Sequence, residues 1–186
     1  MTMQLHPSIK EILITQEQIE KRTQSLAEQI TKDYADSDGR LLILSILKGS
    51  VMFTGELMKY LNIPCEIDFM KVSSYKNGTE STLALNILLD LNRTDLPQLD
   101  ILIVEDIVDT GNTLSNLANM LRARGAKSVR ICTLLDKPSR RLVELTPDYC
   151  GFTIPDEFVV GFGLDYAEEL RNLPYVGVLR REIYEK

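Results

Sequence analysis

The stretch LDILIVEDIVDTGNTL, residues 99–114, predicts a strand, a loop and the start of a helix in succession. Residues 99–105 are mostly apolar, which is typical of a strand buried on both faces of a parallel sheet. Acidic residues and the turn-forming Asp109-Thr110-Gly111 come next, and apolar residues then return at helical spacing. In α/β sheets, ligands bind where such a strand ends, so this junction is the candidate site of the chain.

The same alternation extends over the rest of the chain. Apolar runs that predict further strands occupy residues 41–47, 66–72, 83–91, 129–135, 158–162 and 175–179. Helical periodicity predicts helices over residues 16–34 and 51–61, besides the one that follows Gly111. Residues 73–82 are polar and contain Asn77-Gly78, which indicates a hairpin-like excursion or a mobile flap. Strands alternating with helices predict a single α/β domain with a largely parallel central sheet flanked by helices.

Length and charge narrow the classes of function. At 186 residues, the chain has the length of one domain with a single core. A net charge of −6 is unsuited to binding nucleic acid through many phosphates, because that mode requires a basic surface. No apolar run is long enough to span a bilayer, and residues 1–14 lack the pattern of a secretory signal. We therefore expect a cytoplasmic protein without a nucleic-acid or membrane partner.

Histidine and cysteine offer little chemistry here. His6 is the only histidine, which excludes Ser-His-Asp and Cys-His catalysis and metal sites built from histidines. Cys65, Cys132 and Cys150 are odd in number and widely spaced, so they indicate neither a disulfide framework nor a zinc site. Small buried apolar side chains are the plainer interpretation. The remaining candidates for binding and catalysis are carboxylates, lysines, backbone amides and a bound cation.

The junction after residue 105 has the chemistry of a sugar-phosphate site. Gly111 lets the backbone approach a ligand closely, Thr110 and Thr113 add hydroxyl donors, and the free amides of a helix start attract an anion. Glu105 and Asp106 would repel a phosphate, but they suit ribose hydroxyls or a cation that bridges sugar and diphosphate. An ordinary strand-to-helix turn is the alternative interpretation of these residues.

The full pattern of two acids, two apolar residues and then Asp-Thr-Gly-Asn-Thr resembles the signature that binds phosphoribosyl pyrophosphate (PRPP) in type I phosphoribosyltransferases. Four further segments narrow the resemblance to hypoxanthine-guanine phosphoribosyltransferases. It implies the type I fold over residues 1–186, with a small base-binding hood from residues 1–14 and about 150–186. It also implies Mg²⁺ as cofactor, PRPP and a 6-oxopurine as substrates, and a homodimer or homotetramer.

The resemblance assigns roles to the central junction. It implies that the 5′-phosphate is held by a continuous run of residues: Asp109, Thr110, Gly111, Asn112 and Thr113. Glu105 and Asp106 would bind the ribose, and together with Asp165 they would hold the metal. Asp109 is also the candidate general base, taking the proton from N7 of the purine as N9 bonds to C1′ of the ribose.

Two segments are similar to the parts of the family that hold and cover the diphosphate. Lys48 and Gly49 follow a predicted strand, as in the family's diphosphate loop, where a cis peptide between these two residues would turn an amide toward the leaving group. Arg171 would contact pyrophosphate as well. Ser74 and Tyr75 resemble the start of the flexible loop that closes over the reacting centre. Without the resemblance, a plain turn, a surface arginine and a surface hairpin explain these residues.

Two other segments resemble the purine site of the family. Lys137, after the strand predicted over residues 129–135, would contact the exocyclic oxygen of a 6-oxopurine. Phe158 would stack on the purine, and Val159 would offer backbone groups to its edge, with Asp165 close by. Taken alone, Lys137 is a solvated charge at a strand end, and Phe158 and Val159 are core strand residues. Asn112 stands where some members have lysine, which leaves the ranking of substrates open.

Two other functions compete with phosphoribosyl transfer. A regulatory protein on the same fold would sense PRPP or nucleotides and bind RNA, but the acidic balance argues against it. A Rossmann dehydrogenase would require Gly-x-Gly-x-x-Gly after a strand, and the sequence contains no such motif. Purine phosphoribosyl transfer is therefore the preferred hypothesis.

Overall fold

A computed structural model describes residues 5–76 and 83–185. The described strands are β1 Ile9–Ile14, β2 Arg40–Ile46, β3 Cys65–Lys76, β4 Leu83–Leu89, β5 Leu99–Val108, β6 Ser128–Asp136, β7 Tyr149–Thr153, β8 Val159–Val160 and β9 Val176–Leu179. The described helices are α1 Gln16–Tyr34, α2 Val51–Met58, α3 Asn112–Ala123 and α4 Arg181–Tyr184. None of these helices combines the length and apolar character needed to cross a membrane.

The main sheet has six strands in the order β4-β3-β2-β5-β6-β7. All neighbours are parallel except β3 and β4, which form an antiparallel pair. The chain moves outward from β2 to β3 on one side, and from β5 to β6 and β7 on the other. The order therefore reverses between β2 and β5, and a crevice forms at the carboxyl ends of strands at such a switch point. The predicted α/β fold class is confirmed.

Helices cover both faces of the main sheet. On one face, buried residues of α1 and α2 such as Ile30 and Phe53 join a cluster with Ile43 of β2. On the other, Leu117 of α3 joins a cluster with Ile101 of β5. These strands are buried on both sides, which explains their nearly continuous apolar sequences.

The boundaries of α1 match the prediction because local signals agree there. The Thr15 hydroxyl accepts the Gln18 amide at 3.2 Å, and the Gln18 side chain accepts the Thr15 amide at 2.8 Å. This reciprocal cap fixes the start of the helix. Residues at helical spacing then bury one face of α1: Ile19, Thr23, Leu26, Ala27, Ile30 and Tyr34. Capping and periodicity thus point to the same helix.

A second, smaller sheet contains β1, β9 and β8, all antiparallel. Ile9 pairs with Leu179, and Val159 pairs with Val178, so segments from near both ends of the sequence build this sheet. Residues 150–186 were expected to join residues 1–14 in such a hood. β7, which begins at Tyr149, instead pairs with β6 and extends the main sheet.

Several predicted elements have different limits in the structure, and β5 continues from the predicted residue 105 to Val108. The helix predicted over residues 51–61 ends at Met58, because Tyr60 and Leu61 donate to carbonyls three residues back and tighten its last turn. The strand predicted over residues 158–162 is only β8, since Gly161 and Phe162 adopt positive φ values of 96° and 47°. β3 continues beyond the predicted residue 72 to Lys76, because its backbone pairs with β4.

Candidate active site

The loop between β5 and α3 lines a cavity of about 210 Å³. Gly111 precedes α3 with φ 83°, a left-handed conformation that glycine adopts without strain. The first backbone hydrogen bond of the helix runs from the Ser115 amide to the Gly111 carbonyl, at 2.9 Å. The amides before Ser115 therefore have no partner within the helix. A helix start of this kind attracts an anion. Of the residues predicted around the phosphate, four line the cavity: Asp109, Thr110, Gly111 and Thr113.

Asn112 differs from its predicted neighbours in this loop. Its side-chain nitrogen lies 3.5 Å from the Thr110 hydroxyl, and its backbone nitrogen lies 3.4 Å from the same oxygen. The Thr110 carbonyl in turn accepts the Leu142 amide at 3.0 Å. Asn112 therefore contributes to the shape of the loop from outside the residues that line the cavity.

Glu105 and Asp106 belong to the last part of β5, just before this loop. The Glu105 Oε2 atom is buried with no hydrogen-bond partner among the described residues, and Glu105 lines the 210 Å³ cavity. Burial, helped by the charge of Asp106, raises the pKa of Glu105 well above its usual range. Burial also raises the pKa of Asp106 to about 6. Burial thus disfavours the ionised form of two neighbouring carboxyl groups beside the loop.

The carboxylates fit an open magnesium site better than a closed one. In residues 5–76 and 83–185, no three acidic, histidine or cysteine side chains form a metal cluster. Glu105, Asp106 and Asp165 therefore do not make a complete protein site by themselves. Magnesium is usually held by one or two carboxylates together with waters and the phosphates of a substrate. The buried, unpartnered oxygen of Glu105 is consistent with that mode.

The loop after β2 packs against these carboxylates. The structure has a non-proline cis peptide between Leu47 and Lys48, one residue earlier than the predicted bond between Lys48 and Gly49. The Leu47 amide still donates to the Met70 carbonyl at 2.8 Å, so the chain leaves the sheet only after Leu47. A Cβ atom on Gly49 would overlap the carboxylate of Asp106, so any larger residue here would require that carboxylate to move.

Arg171 belongs to the segment before β9, which packs against the loop that contains Gly49. Its Nη1 atom donates to the Gly163 carbonyl at 2.8 Å, and its Nη2 atom lies 2.8 Å from Asp165 Oδ1. A Cβ atom on Gly163 would overlap the Gly49 carbonyl oxygen. The backbone contact between these two glycines therefore brings Arg171 and Lys48 to the same corner of the crevice.

A second cavity, of about 540 Å³, lies next to the first. All four residues predicted around the purine line it: Lys137, Phe158, Val159 and Asp165. Ile107 and Asp109 line both cavities, so the two spaces meet at the end of β5. Lys137 is only 8% exposed, and its ammonium donates to the Glu157 carbonyl at 2.6 Å. The sequence alone favoured a solvated lysine, whereas the structure holds this cation inside a cavity.

Arg140 and Asp156 are site residues that the sequence did not indicate. Arg140 Nε donates to Asp109 Oδ1 at 3.1 Å, and Arg140 Nη1 lies 3.7 Å from Asp156 Oδ2. Lys137 Nζ lies 3.9 Å from the other oxygen of Asp156. The charges thus alternate along one wall of the larger cavity. Both side chains are half exposed. Arg140 matches no motif, whereas Asp156 lies in residues 154–166, which resemble the base-binding segment of the family, but the resemblance assigned it no role.

Tyr184 is a third such residue, and it belongs to α4. Its ring stacks on Phe158 with centroids 4.9 Å apart and an interplanar angle of 25°. Tyr166 meets Phe158 edge-on at 5.7 Å, and the Tyr166 hydroxyl donates to the Ile183 carbonyl at 3.0 Å. Phe158 remains 38% exposed. The two tyrosines therefore support Phe158 while part of its ring stays accessible to a ligand.

Ser74 and Tyr75, predicted at the start of a flexible loop, belong to β3. Their backbones pair with Leu85 and Ala84 of β4. Residues 77–82, the rest of the predicted loop, lie outside the described parts of the chain. A role for this segment in covering the site stays a prediction, as does the assembly into dimers or tetramers.

Comparison with known proteins identifies the family. A family model described as the phosphoribosyl transferase domain matches residues 9–167. The chain belongs to this family. Its curated relatives include the hypoxanthine-guanine phosphoribosyltransferases of Lactococcus lactis, 52% identical over 182 residues, and Streptococcus mutans, 50% identical over 182 residues. These matches cover 98% of this chain, with 97% of the first relative and 99% of the second.

Solved structures of this phosphoribosyltransferase family agree with the fold. A hypoxanthine phosphoribosyltransferase from Staphylococcus aureus matches with a TM-score of 0.91 and 46% identity, covering 100% of both chains. The Trypanosoma cruzi hypoxanthine phosphoribosyl transferase also gives a TM-score of 0.91, at 38% identity over 98% of this chain and 97% of that one. The resemblance stated from the sequence is confirmed, and a Rossmann dehydrogenase is excluded.

Proposed function

We propose that this protein transfers the 5-phosphoribosyl group of PRPP to hypoxanthine or guanine, forming IMP or GMP and pyrophosphate in purine salvage. The observation that carries the proposal is the pair of adjoining cavities that share Asp109. One is lined by the start of a helix, which attracts an anion, and the other contains a buried ammonium group. The names of relatives about half identical to this chain support the same reaction.

The phosphoribosyl group fits the smaller cavity and its carboxylates. In this proposal the amides and hydroxyls of the loop from Asp109 to Thr113 hold the 5′-phosphate, although Asn112 acts only through the shape of the loop. Glu105 and Asp106 accept hydrogen bonds from the ribose hydroxyls. Such bonds to a charged acceptor are about twice as strong as neutral ones. They would fix C1′ of the ribose at the boundary between the two cavities.

The diphosphate fits the corner formed by Lys48, Gly49 and Arg171. Glu105, Asp106 and Asp165 are the residues that would hold Mg²⁺ here. The bound cation would neutralise charge on the departing diphosphate. Lys48 and Arg171 bring two positive charges to this corner, which would stabilise the departing pyrophosphate.

The purine fits the larger cavity. Lys137 would donate to the 6-oxo group, since its ammonium already lies against the Glu157 carbonyl in the wall of that cavity. Phe158 would stack on the ring, and the backbone of Val159 would bond its edge. A cation that binds a carbonyl oxygen rejects a 6-amino purine, which offers a donor at the same place.

Asp109 is the proposed general base, since its side chain stands where the purine and ribose cavities meet. It would take the proton from N7 while N9 bonds to C1′ and the C1′–O bond to pyrophosphate breaks. Aligning two bound reactants supplies about 7 to 11 kcal/mol of the barrier, so a covalent enzyme intermediate is unnecessary. Closure of the segment around Ser74 and Tyr75 would keep water from the reacting ribose.

An assay with purified protein, PRPP, Mg²⁺ and hypoxanthine, guanine or xanthine in turn tests the reaction. We expect IMP and GMP to form, and absence of any nucleotide product would refute the proposal. Asp109→Asn should lower kcat by about 10²-fold or more while PRPP binding stays near that of the parent. Asp36→Asn, at an exposed turn far along the sequence from the site, is the control. Unchanged turnover in Asp109→Asn would reject the role of the base.

A regulatory RNA-binding protein of the same fold is the alternative, and one experiment separates the two. The same preparation is tested for retardation of RNA in a gel and for IMP formation. We expect IMP formation without retardation, because the net charge of −6 opposes binding to a polyanion.

A further inference from the structure

Glu168 stands between the two cations of the diphosphate corner. Its Oε2 atom lies 2.8 Å from Lys48 Nζ and 3.2 Å from Arg171 Nη2. Lys48 follows β2, whereas Arg171 and Glu168 belong to the segment before β9. One carboxylate oxygen therefore bridges two cations that arrive from distant parts of the chain. A diphosphate oxygen would make the same pair of contacts.

The backbone of this segment holds Glu168 in that place. Ala167, Glu168 and Leu170 have positive φ values of 51°, 69° and 72°, which are uncommon for residues other than glycine. The Glu168 amide donates to Asp165 Oδ2 at 2.9 Å, and the backbones of Tyr166 and Glu169 bond each other. Strained residues persist where the surrounding structure determines them, and they concentrate at ligand sites.

The side chain of Glu168 is held by its ion pairs and not by packing. Its side chain is 65% exposed, whereas that of Arg171 is 24% exposed. Exposed ion pairs contribute little stability, so a stronger anion can displace this carboxylate. Diphosphate has more negative charge and more acceptor oxygens than a carboxylate, so it binds the two cations more strongly.

Arg171 does not depend on Glu168 for its position. The Gly163 carbonyl accepts from Arg171 Nη1 at 2.8 Å, and Asp165 lies 2.8 Å from Arg171 Nη2. Removing the Glu168 carboxylate would leave this arginine anchored by two other groups. It would also leave Lys48 without its anion, and both cations would then be available to a ligand.

We propose that Glu168 is an internal competitor for the diphosphate corner, occupying Lys48 and Arg171 until PRPP or pyrophosphate displaces it. This inference rests on the proposed function. In the free enzyme the carboxylate neutralises the corner, and after the reaction it returns to the cations as pyrophosphate leaves. Glu168 thereby weakens the binding of both PRPP and pyrophosphate and speeds product release.

Calorimetric titration of the full chain with inorganic pyrophosphate and Mg²⁺ tests this role without turnover. Glu168→Gln keeps the shape of the side chain and removes its charge, so we expect Kd for pyrophosphate to fall about twofold to fivefold, the range of an exposed ion pair. Glu169→Gln makes the same charge change one residue away, where the described residues include no ion-pair partner for Glu169. This control should bind as the parent does.

Kinetics and a second variant complete the test. KM for PRPP and the inhibition constant of pyrophosphate should fall in parallel with Kd in Glu168→Gln, while KM for hypoxanthine stays constant. Glu168→Asp, whose carboxylate is shorter by one methylene, should give an intermediate change. The difference from the parent should shrink as salt is raised, because exposed charges are screened.

Contrary results have distinct meanings. Weaker or unchanged pyrophosphate binding in Glu168→Gln, or an equal gain in Glu169→Gln, would overturn the competitor role while leaving the reaction intact. A parent protein that binds no pyrophosphate and forms no IMP would instead refute the proposed function itself. The inference about Glu168 would then fall together with it.

Discussion

Replacing Gly163 by alanine should disrupt the corner where Lys48, Gly49 and Arg171 meet. Gly163 has φ 101°, and a Cβ atom there would overlap the Gly49 carbonyl oxygen, so the two loops must separate by about 1 Å or more. Strain at such a φ costs about 1 to 3 kcal/mol, and overpacking costs a similar amount. We therefore expect a loss of at least about 2 kcal/mol, which lowers the melting temperature by at least about 4 °C.

The same variant should weaken pyrophosphate binding, because the Gly163 carbonyl anchors Arg171 at 2.8 Å. Thermal denaturation and titration with pyrophosphate measure the two effects. Gly55→Ala in α2 is the matched control, since no atom lies within 4 Å of the added Cβ and alanine favours a helix by about 0.5 to 1 kcal/mol. A Gly163→Ala protein that melts at or above the parent temperature and binds pyrophosphate normally would refute the reasoning.

Three further predictions concern the acidic pair, the purine cavity and the aromatic support. In metal-free buffer at pH 8, Asp106→Asn should raise the free energy of unfolding by about 1 to 3 kcal/mol, because the parent folds with an ionised carboxylate whose pKa burial raises to about 6. The gain should vanish as the pH falls through 6 toward 4, where the folded parent takes up the proton, and an equal gain at both pH values would contradict the cause. Lys137→Gln should raise KM for hypoxanthine about tenfold to hundredfold and reduce discrimination against 6-amino purines, and equal kinetics in variant and parent would reject this contact. Tyr184→Ala should raise KM for the purine about twofold to tenfold through loss of the stack on Phe158, with KM for PRPP unchanged. Tyr184→Phe keeps the ring and should behave as the parent does, so a loss in both variants would argue against stacking.

Local signals explain which parts of the fold were predictable. α1 has a capping pair at Thr15 and a regular apolar stripe, so propensity and packing agree on its limits. β1 was not predicted, because its partner β9 lies far away in the sequence and only the folded chain brings them together. β8 is shorter than predicted since Gly161 and Phe162 turn the backbone immediately after two strand residues.

The candidate site likewise contains residues that the sequence predicted and residues that it did not. Asp109 and Gly111 belong to one continuous motif, and the carboxyl end of a parallel strand has a fixed place in the fold. Arg140, Glu168 and Tyr184 act through partners that are distant in the sequence or that match no motif, so a charge or ring in isolation gave no indication of its neighbours. The cis peptide at Leu47-Lys48 was predicted one residue too late, between Lys48 and Gly49.

The pairing of β1 with β9 has a consequence for the order in which the protein matures during synthesis. The phosphate loop between β5 and α3 depends on strands that leave the ribosome early, whereas Val159 is held by β9, which leaves near the end of translation. A nascent chain can therefore assemble the anion-binding half before the part of the base cavity around Phe158 and Val159 is complete. We expect an incompletely translated chain to recognise the sugar phosphate while remaining unable to select a nucleobase.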